Sequence, residues 1–260
     1  MNLLGKHALV CGGTQGIGLA SALALAQAGA SVVLMARDAD RLAAAAKTLP
    51  HEGAQTHDAI VADFSDPTAA RAQIDRWLAQ HGPVHVLVNN AGGPPAGPIV
   101  DATAEAFLAA YRSHLLTSHL LSQAAIPGMR DSGYGRIINI VSTSVRQPIK
   151  GLGVSNTTRG AVASWAKTLA GEVGPFGITV NNVLPGATRT GRLESVVSSR
   201  ARASGLTKEA IEREMLAEIP LGRFGEPAEI AAAVAFLASP AAAYITGVSL
   251  AVDGGRTSSL

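Results

Sequence analysis

Three glycines set the first chemical expectation. In "CGGTQGIG", residues 11–18, Gly12, Gly16 and Gly18 stand in a G-x-x-x-G-x-G spacing directly before an apolar helical pattern. Such a turn lets the backbone approach a pyrophosphate closely, and the positive end of the helix that follows attracts its charge. A strand pattern precedes the glycines and a second, "SVVLMAR" (31–37), follows within one βαβ unit. An acid at the end of that second strand would accept hydrogen bonds from a free ribose 2′-hydroxyl. Here the strand ends in Ala36 and Arg37, so the acid is missing and a guanidinium stands there instead. Together the loss and the gain point to a 2′-phosphate, and so to NADP(H). A second run, "GVSNTTRGAV" (153–162), holds the hydroxyl of Ser155 and the guanidinium of Arg159 but no tyrosine, lysine, histidine or acid.

These groups need a scaffold, and the apolar pattern supplies one. Seven short β-branched runs, at 7–12, 31–37, 59–64, 84–92, 136–143, 178–186 and 248–255, alternate with alanine-rich helical stretches. Continuous apolar runs of this length are what parallel strands covered on both faces require. The expectation is an α/β fold: a Rossmann-type, doubly wound, seven-stranded parallel sheet with helices on both faces, forming a single domain over 1–260. One polar segment, 188–220, sits between the sixth and seventh strands, reads as helical mainly near its end, and is placed to act as a lid over a pocket.

Composition narrows the function. The chain has 260 residues, 47% hydrophobic and 15% charged, with a net charge of +2 and no basic stripe, which argues against a nucleic-acid partner. Cys11 is the single cysteine, and "MNLLGKHALVCGG" is too short and interrupted in its apolar part for a leader or a membrane span. A cytoplasmic protein without a membrane partner is the expectation. No metal site is read: Gly82-Pro83 break any helix joining His81 to His85, and His114 and His119 are five apart, on different sides of a helix.

With these residues in place, the whole chain resembles the short-chain dehydrogenases/reductases, particularly the 3-oxoacyl-[acyl-carrier-protein] reductase-like group. "CGGTQGIG" matches the family's cofactor loop, with Cys11 where threonine is usual, which brings Thr14, Gln15 and Ile17 into the cofactor set beside the three glycines. "VADFSD" places Asp63 at the adenine, and "NNAG" places Asn90, Ala91 and Gly92 beside the cofactor. "NNVLPGATRT" places Pro185, Gly186 and Thr190 at the nicotinamide. The resemblance implies NADP(H) as cofactor, a carbonyl or alcohol substrate, and assembly into a homotetramer or homodimer through long helices and the last strand.

It also implies a catalytic Asn, Ser, Tyr and Lys, and here the sequence departs. Ser142 holds the serine position, but Ser155 falls where the tyrosine belongs, Arg159 where the lysine belongs and His114 where the asparagine belongs. A serine is a much weaker acid than a phenol, and an arginine does not release its proton near neutrality. A positioned acid contributes about 10²- to 10⁴-fold in rate, so the substitution bears directly on activity. Arg159 retains a positive charge for the nicotinamide ribose or for a substrate carboxylate or phosphate. Ser142 and Ser155 retain donors for a carbonyl oxygen. His114 is the one group with an ordinary pKa near 7 and is the expected proton donor. Taken structurally, Ser155 caps the following helix and Arg159 is an exposed charge.

The leading expectation is an NADP(H)-dependent oxidoreductase acting on a small, anionic or acyl substrate. The same site also suits a lyase, dehydratase or isomerase step, and the scaffold suits a non-catalytic nucleotide-binding protein. Arg146, Lys150 and Arg189 are the cations expected at the pocket mouth.

Overall fold

Each of the seven apolar runs forms a strand: β1 (His7–Cys11), β2 (Ser31–Ala36), β3 (Asp58–Val61), β4 (Val86–Asn89), β5 (Gly135–Ile140), β6 (Ile178–Pro185) and β7 (Ser249–Val252). The structure is a computed structural model describing residues 1–51 and 53–259. All neighbouring strands pair in parallel, in the order β3-β2-β1-β4-β5-β6-β7. Several strands end short of the expected runs, β4 at Asn89 and not at Gly92, and the residues just beyond β4 line the cleft at the carboxyl edge.

Nine helices complete the described fold: α1 (Gly16–Gln27), α2 (Ala39–Ala46), α3 (Pro67–His81), α4 (Ala104–Tyr111), α5 (Thr117–Asp131), α6 (Gly153–Val173), α7 (Gly191–Ser204), α8 (Lys208–Ala217) and α9 (Pro227–Ala238). Strand alternation sorts them into two layers. Val10, Leu34, Val88 and Ile138 face α1, α2 and α9 through Leu25, Leu42 and Val234. Leu9, Val33, Leu87 and Ile137 face α3, α5 and α6 through Ile74, Leu121 and Ala166. Adjacent residues on one strand thus feed opposite cores, as a sheet buried on both faces demands.

The segment expected to be helical mainly near its end is helical in both halves, as α7 and α8. Val197 and Ala201, one turn apart on α7, pack against Ile211 of α8, with Leu193 and Met215 beside them. Arginines and serines on the other faces of α7 mask this short apolar stripe in the sequence.

Because β1 leads through α1 to β2 on one side while β4 pairs on its other side, the chain directions diverge between β1 and β4. That is the crevice in which open parallel sheets bind ligands, at the carboxyl ends of the strands. No helix among the described residues is long and apolar enough to cross a membrane.

Candidate active site

A cleft of about 1170 Å³ opens along this edge. Its floor is the glycine turn. Gly12 and Gly16 hold φ of +60° and +55°, and a Cβ on Gly18 would stand 2.1 Å from the Gly12 carbonyl oxygen, so the chain packs here as only glycine allows. Asn90 Nδ2 donates to the carbonyls of Cys11 and Gly12 at 3.2 and 3.4 Å, tying the end of β4 to the turn. α1 begins at Gly16 with no side chain capping it, which leaves its N-terminal amides to a ligand in the cleft. Cys11 lies buried behind the turn, its thiol pushed up to about 12 by burial, and is chemically inert there.

The cofactor residues expected from the sequence converge. Gly12, Thr14, Gln15, Gly16, Ile17, Gly18, Arg37, Asp63, Asn90, Ala91, Gly92, Arg159, Pro185, Gly186 and Thr190 all line the cleft. Arg37 projects from the end of β2 without an ion-pair partner among the described residues. The Ser65 amide, donating at 2.9 Å, and the Ser65 hydroxyl, with the nearby Arg37 charge, hold the Asp63 carboxyl below the usual range. Arg41 is an addition that sequence reasoning missed: it lines the cleft next to Arg37 and reaches Gln15 Oε1 at 3.5 Å, although Asp38 partly neutralises it at 3.4 Å. Its signal was the four-residue spacing from Arg37 along "RDADR".

At the other end of the cleft stand Ser142, just past β5, and Ser155 and Arg159, one turn apart on α6. Ser142 Oγ accepts the Ser144 amide at 3.1 Å, and Ser155 Oγ accepts Arg159 Nε at 3.3 Å. With an N–H already directed at each oxygen, both hydroxyl hydrogens are free to donate into the cleft. Arg159 Nη1 donates to the carbonyls of Ile140 and Val141 at the end of β5, which fixes the guanidinium behind Ser155. Burial first, and the Arg192 charge second, pull Arg159 down to about 10, which leaves it cationic at neutral pH.

Three expectations for this end are corrected. Ser155 does not cap α6: the helix starts at Gly153 with Leu152 before it, so Ser155 lies inside the first turn and is 5% exposed. Arg159 is not an exposed charge but a partly buried one with three hydrogen bonds. His114 does not titrate near 7. It sits on a π-helical turn (Arg112–Leu116) between α4 and α5, and burial, with the Arg159 charge, drives its ring down to about 3, opposed by the Gly92 backbone. The ring is neutral at physiological pH, and it lines a separate cavity of about 20 Å³ behind Arg159 and not the main cleft.

That small cavity has its own polar logic. Asn89 Nδ2 donates to Asn139 Oδ1 at 2.9 Å, Asn139 Nδ2 to Asn182 Oδ1 at 3.0 Å, and Asn182 Nδ2 to Ser249 Oγ at 3.1 Å, an amide ladder across β4, β5, β6 and β7. The ladder leaves Asn89 Oδ1 without a partner among the described residues, as is His114 Nε2, and both residues face the small cavity with Arg159. Its size and polarity suit one water bridging these groups.

The cations expected at the mouth are rearranged. Arg146 donates to the Ser249 carbonyl at 3.0 Å, and neither it nor Lys150 lines the cleft. Arg189 does line it, but is paired with Glu226 at 3.1 Å. Arg192 and Arg200 of α7 stand there instead.

Known proteins place this geometry. Residues 12–257 match the family described as enoyl-(acyl carrier protein) reductase. The chain is 35% identical to the 3-oxoacyl-[acyl-carrier-protein] reductase of Vibrio cholerae, covering 98% of each chain. It belongs to the short-chain dehydrogenase/reductase family. Among solved members, L-sorbose reductase of Gluconobacter frateurii, determined with NADPH and L-sorbose, superposes with a TM-score of 0.92 at 32% identity, covering 100% of this chain and 99% of that one. Gluconate 5-dehydrogenase of Burkholderia cenocepacia, determined with NADP and tartrate, gives 0.89 at 32% identity, covering 100% and 98%. The family is one of oxidoreductases acting on carbonyl and alcohol groups, and this short-chain dehydrogenase/reductase carries the Ser142, Ser155 and Arg159 set within that frame.

Proposed function

We propose that the protein is an NADPH-dependent reductase of a small carbonyl compound, working with two serines and an arginine in place of a phenol and an ammonium. One observation carries this: a single cleft joins the glycine turn and unpaired Arg37 at one end to Ser142, Ser155 and Arg159 at the other. The dinucleotide fits by three features of this chain, the glycine-only turn, the uncapped start of α1 and the free Arg37 guanidinium. The solved relatives that hold NADPH or NADP support the same reading.

NADPH, when bound, supplies a hydride to the carbonyl carbon. Ser142 and Ser155 donate their hydroxyl hydrogens to the carbonyl oxygen and hold it where negative charge gathers. Arg159, bonded to Ser155 Oγ, stabilises that charge without giving up its own proton. Ser155 passes its proton to the alkoxide and is reprotonated from water that enters the cleft as the product leaves. Neutral His114 takes no proton-donating part, since its charged form is suppressed by burial and by Arg159. The segment 188–220 closes over the substrate as a lid, and the chain assembles into a homotetramer or homodimer.

The test is NADPH absorbance with ketones, quinones and β-ketoacyl thioesters from pH 5 to 9. Turnover is expected with at least one class, falling about a hundredfold or more in Ser155→Ala. The rate should show no inflection near pH 6.5, because a ring that protonates only near 3 is already neutral throughout that range. No turnover with any class would refute the reductase reading. An inflection near 6.5 that disappears in His114→Asn would return proton delivery to His114.

A further inference from the structure

The cations lining the cleft divide by whether the chain neutralises them. Arg41 is paired with Asp38, Arg189 with Glu226 and Arg256 with Glu218. Arg37, Arg159, Arg192 and Arg200 line the same cleft without a carboxylate partner among the described residues. Arg37 belongs to the adenine end by its place just past β2. Arg159 and Arg192 lie at the serine end, and no unpaired acid is there to meet them: the acids of the cleft are Asp38, Asp63 and Glu218.

Arg192 is held in a specific place. From the first turn of α7 it crosses to the loop after β4, where Nη2 donates to the Pro94 carbonyl at 2.8 Å. A Cβ on Gly93 would stand 3.3 Å from Arg192 Nε and Nη2, so the guanidinium lies flat over that glycine. Its Nε and Nη1 have no acceptor among the described residues, and neither has Nη2 of Arg159. The Arg192 charge is felt at both Arg159 and His114, where it disfavours further positive charge. An excess of positive charge at this end of the cleft focuses its field on an incoming anion.

We infer that the substrate is a carboxylate-bearing carbonyl compound, its anionic group received by Arg192 from the lid and Arg159 from the floor while its carbonyl meets Ser142 and Ser155. The inference rests on the reductase reading for the carbonyl, but the anion site stands on the unpaired cations alone. Arg192 is a specificity-determining residue here, and its position at the start of α7 couples substrate charge to the lid.

The test compares two probes on the complex with NADP⁺, by calorimetry: acetoacetate, and methyl acetoacetate, which keeps the skeleton and removes the charge. Acetoacetate is expected to bind about tenfold tighter or more, since a charge-assisted, two-pronged contact is lost with the ester. Arg192→Gln should abolish that preference, and Arg192→Lys should keep part of it, as a point charge without the fork. Both variants should bind NADP⁺ as the parent protein does. Equal affinity for acid and ester, no binding of the acid, or a preference that survives Arg192→Gln would overturn the inference. So would a variant that loses NADP⁺ and not the acid, because Arg192 would then serve a cofactor phosphate. None of these readouts needs turnover, so a failed reductase assay and a failed anion site give different results.

Discussion

At the scale of single residues, this site works through which polar groups are already occupied. Ser142 and Ser155 each receive an N–H, so their hydrogens point the chemistry outward, and Arg159 is bound to two backbone carbonyls, so its charge stays in one place. Arg37 is the opposite case, a guanidinium without an ion-pair partner among the described residues. Its value therefore appears only with a ligand. Arg37→Ala should raise the Kd for NADPH about tenfold or more and leave that for NADH near its parent value, as read by fluorescence titration. Equal weakening for both dinucleotides, or for neither, would remove the 2′-phosphate from Arg37 and leave it as a solvated charge.

At the scale of elements, the strands do more than carry loops to the cleft. Asn89, Asn139 and Asn182 occupy matched positions on β4, β5 and β6, and register alone brings their amides into a line that ends at Ser249. Asn139 is the middle member and is 1% exposed. Asn139→Leu would strand Asn89 Nδ2 and Asn182 Oδ1 in the interior, at about 1–3 kcal/mol for each group. Urea unfolding should show a loss of about 2–6 kcal/mol. A variant as stable as the parent would mean that the ladder is dispensable and that its amides find other partners. The π-turn at Arg112–Leu116 is the other element-scale device: Thr117 N and Oγ1 both bond to the Arg112 carbonyl, the widened turn that sets His114 behind Arg159.

At the scale of the whole molecule, the sheet ends in an uncovered edge. β7 pairs with β6 on one side only, Leu250 and Val248 are exposed there, and Phe236 of α9 lies open as well. A parallel sheet with an unprotected apolar edge strand invites a second copy to cover it. Light scattering should give the mass of two or four chains, and Leu250→Asp should shift the population toward a smaller species while leaving the circular dichroism unchanged. A parent protein that runs as a monomer at micromolar concentration would end the assembly proposal.

The sequence by itself determined the seven strands, the parallel winding, the glycine turn and the absence of a phenol and an ammonium at the expected positions, because each is written in local spacing or residue type. Period and run length specify an element, and a glycine's freedom belongs to its own backbone. What only the tertiary structure decided are the properties that come from distant partners. His114 lost its ordinary titration to burial beside Arg159, 45 positions away in the chain. Arg192 entered the cleft by bonding Pro94, 98 positions earlier, and Arg146 left it by bonding Ser249, 103 positions later. The stripe on α7 became legible only against α8. Charge, hydrogen bonding and solvation depend on what stands within a few ångströms, and the fold, not the order of residues, chooses those neighbours.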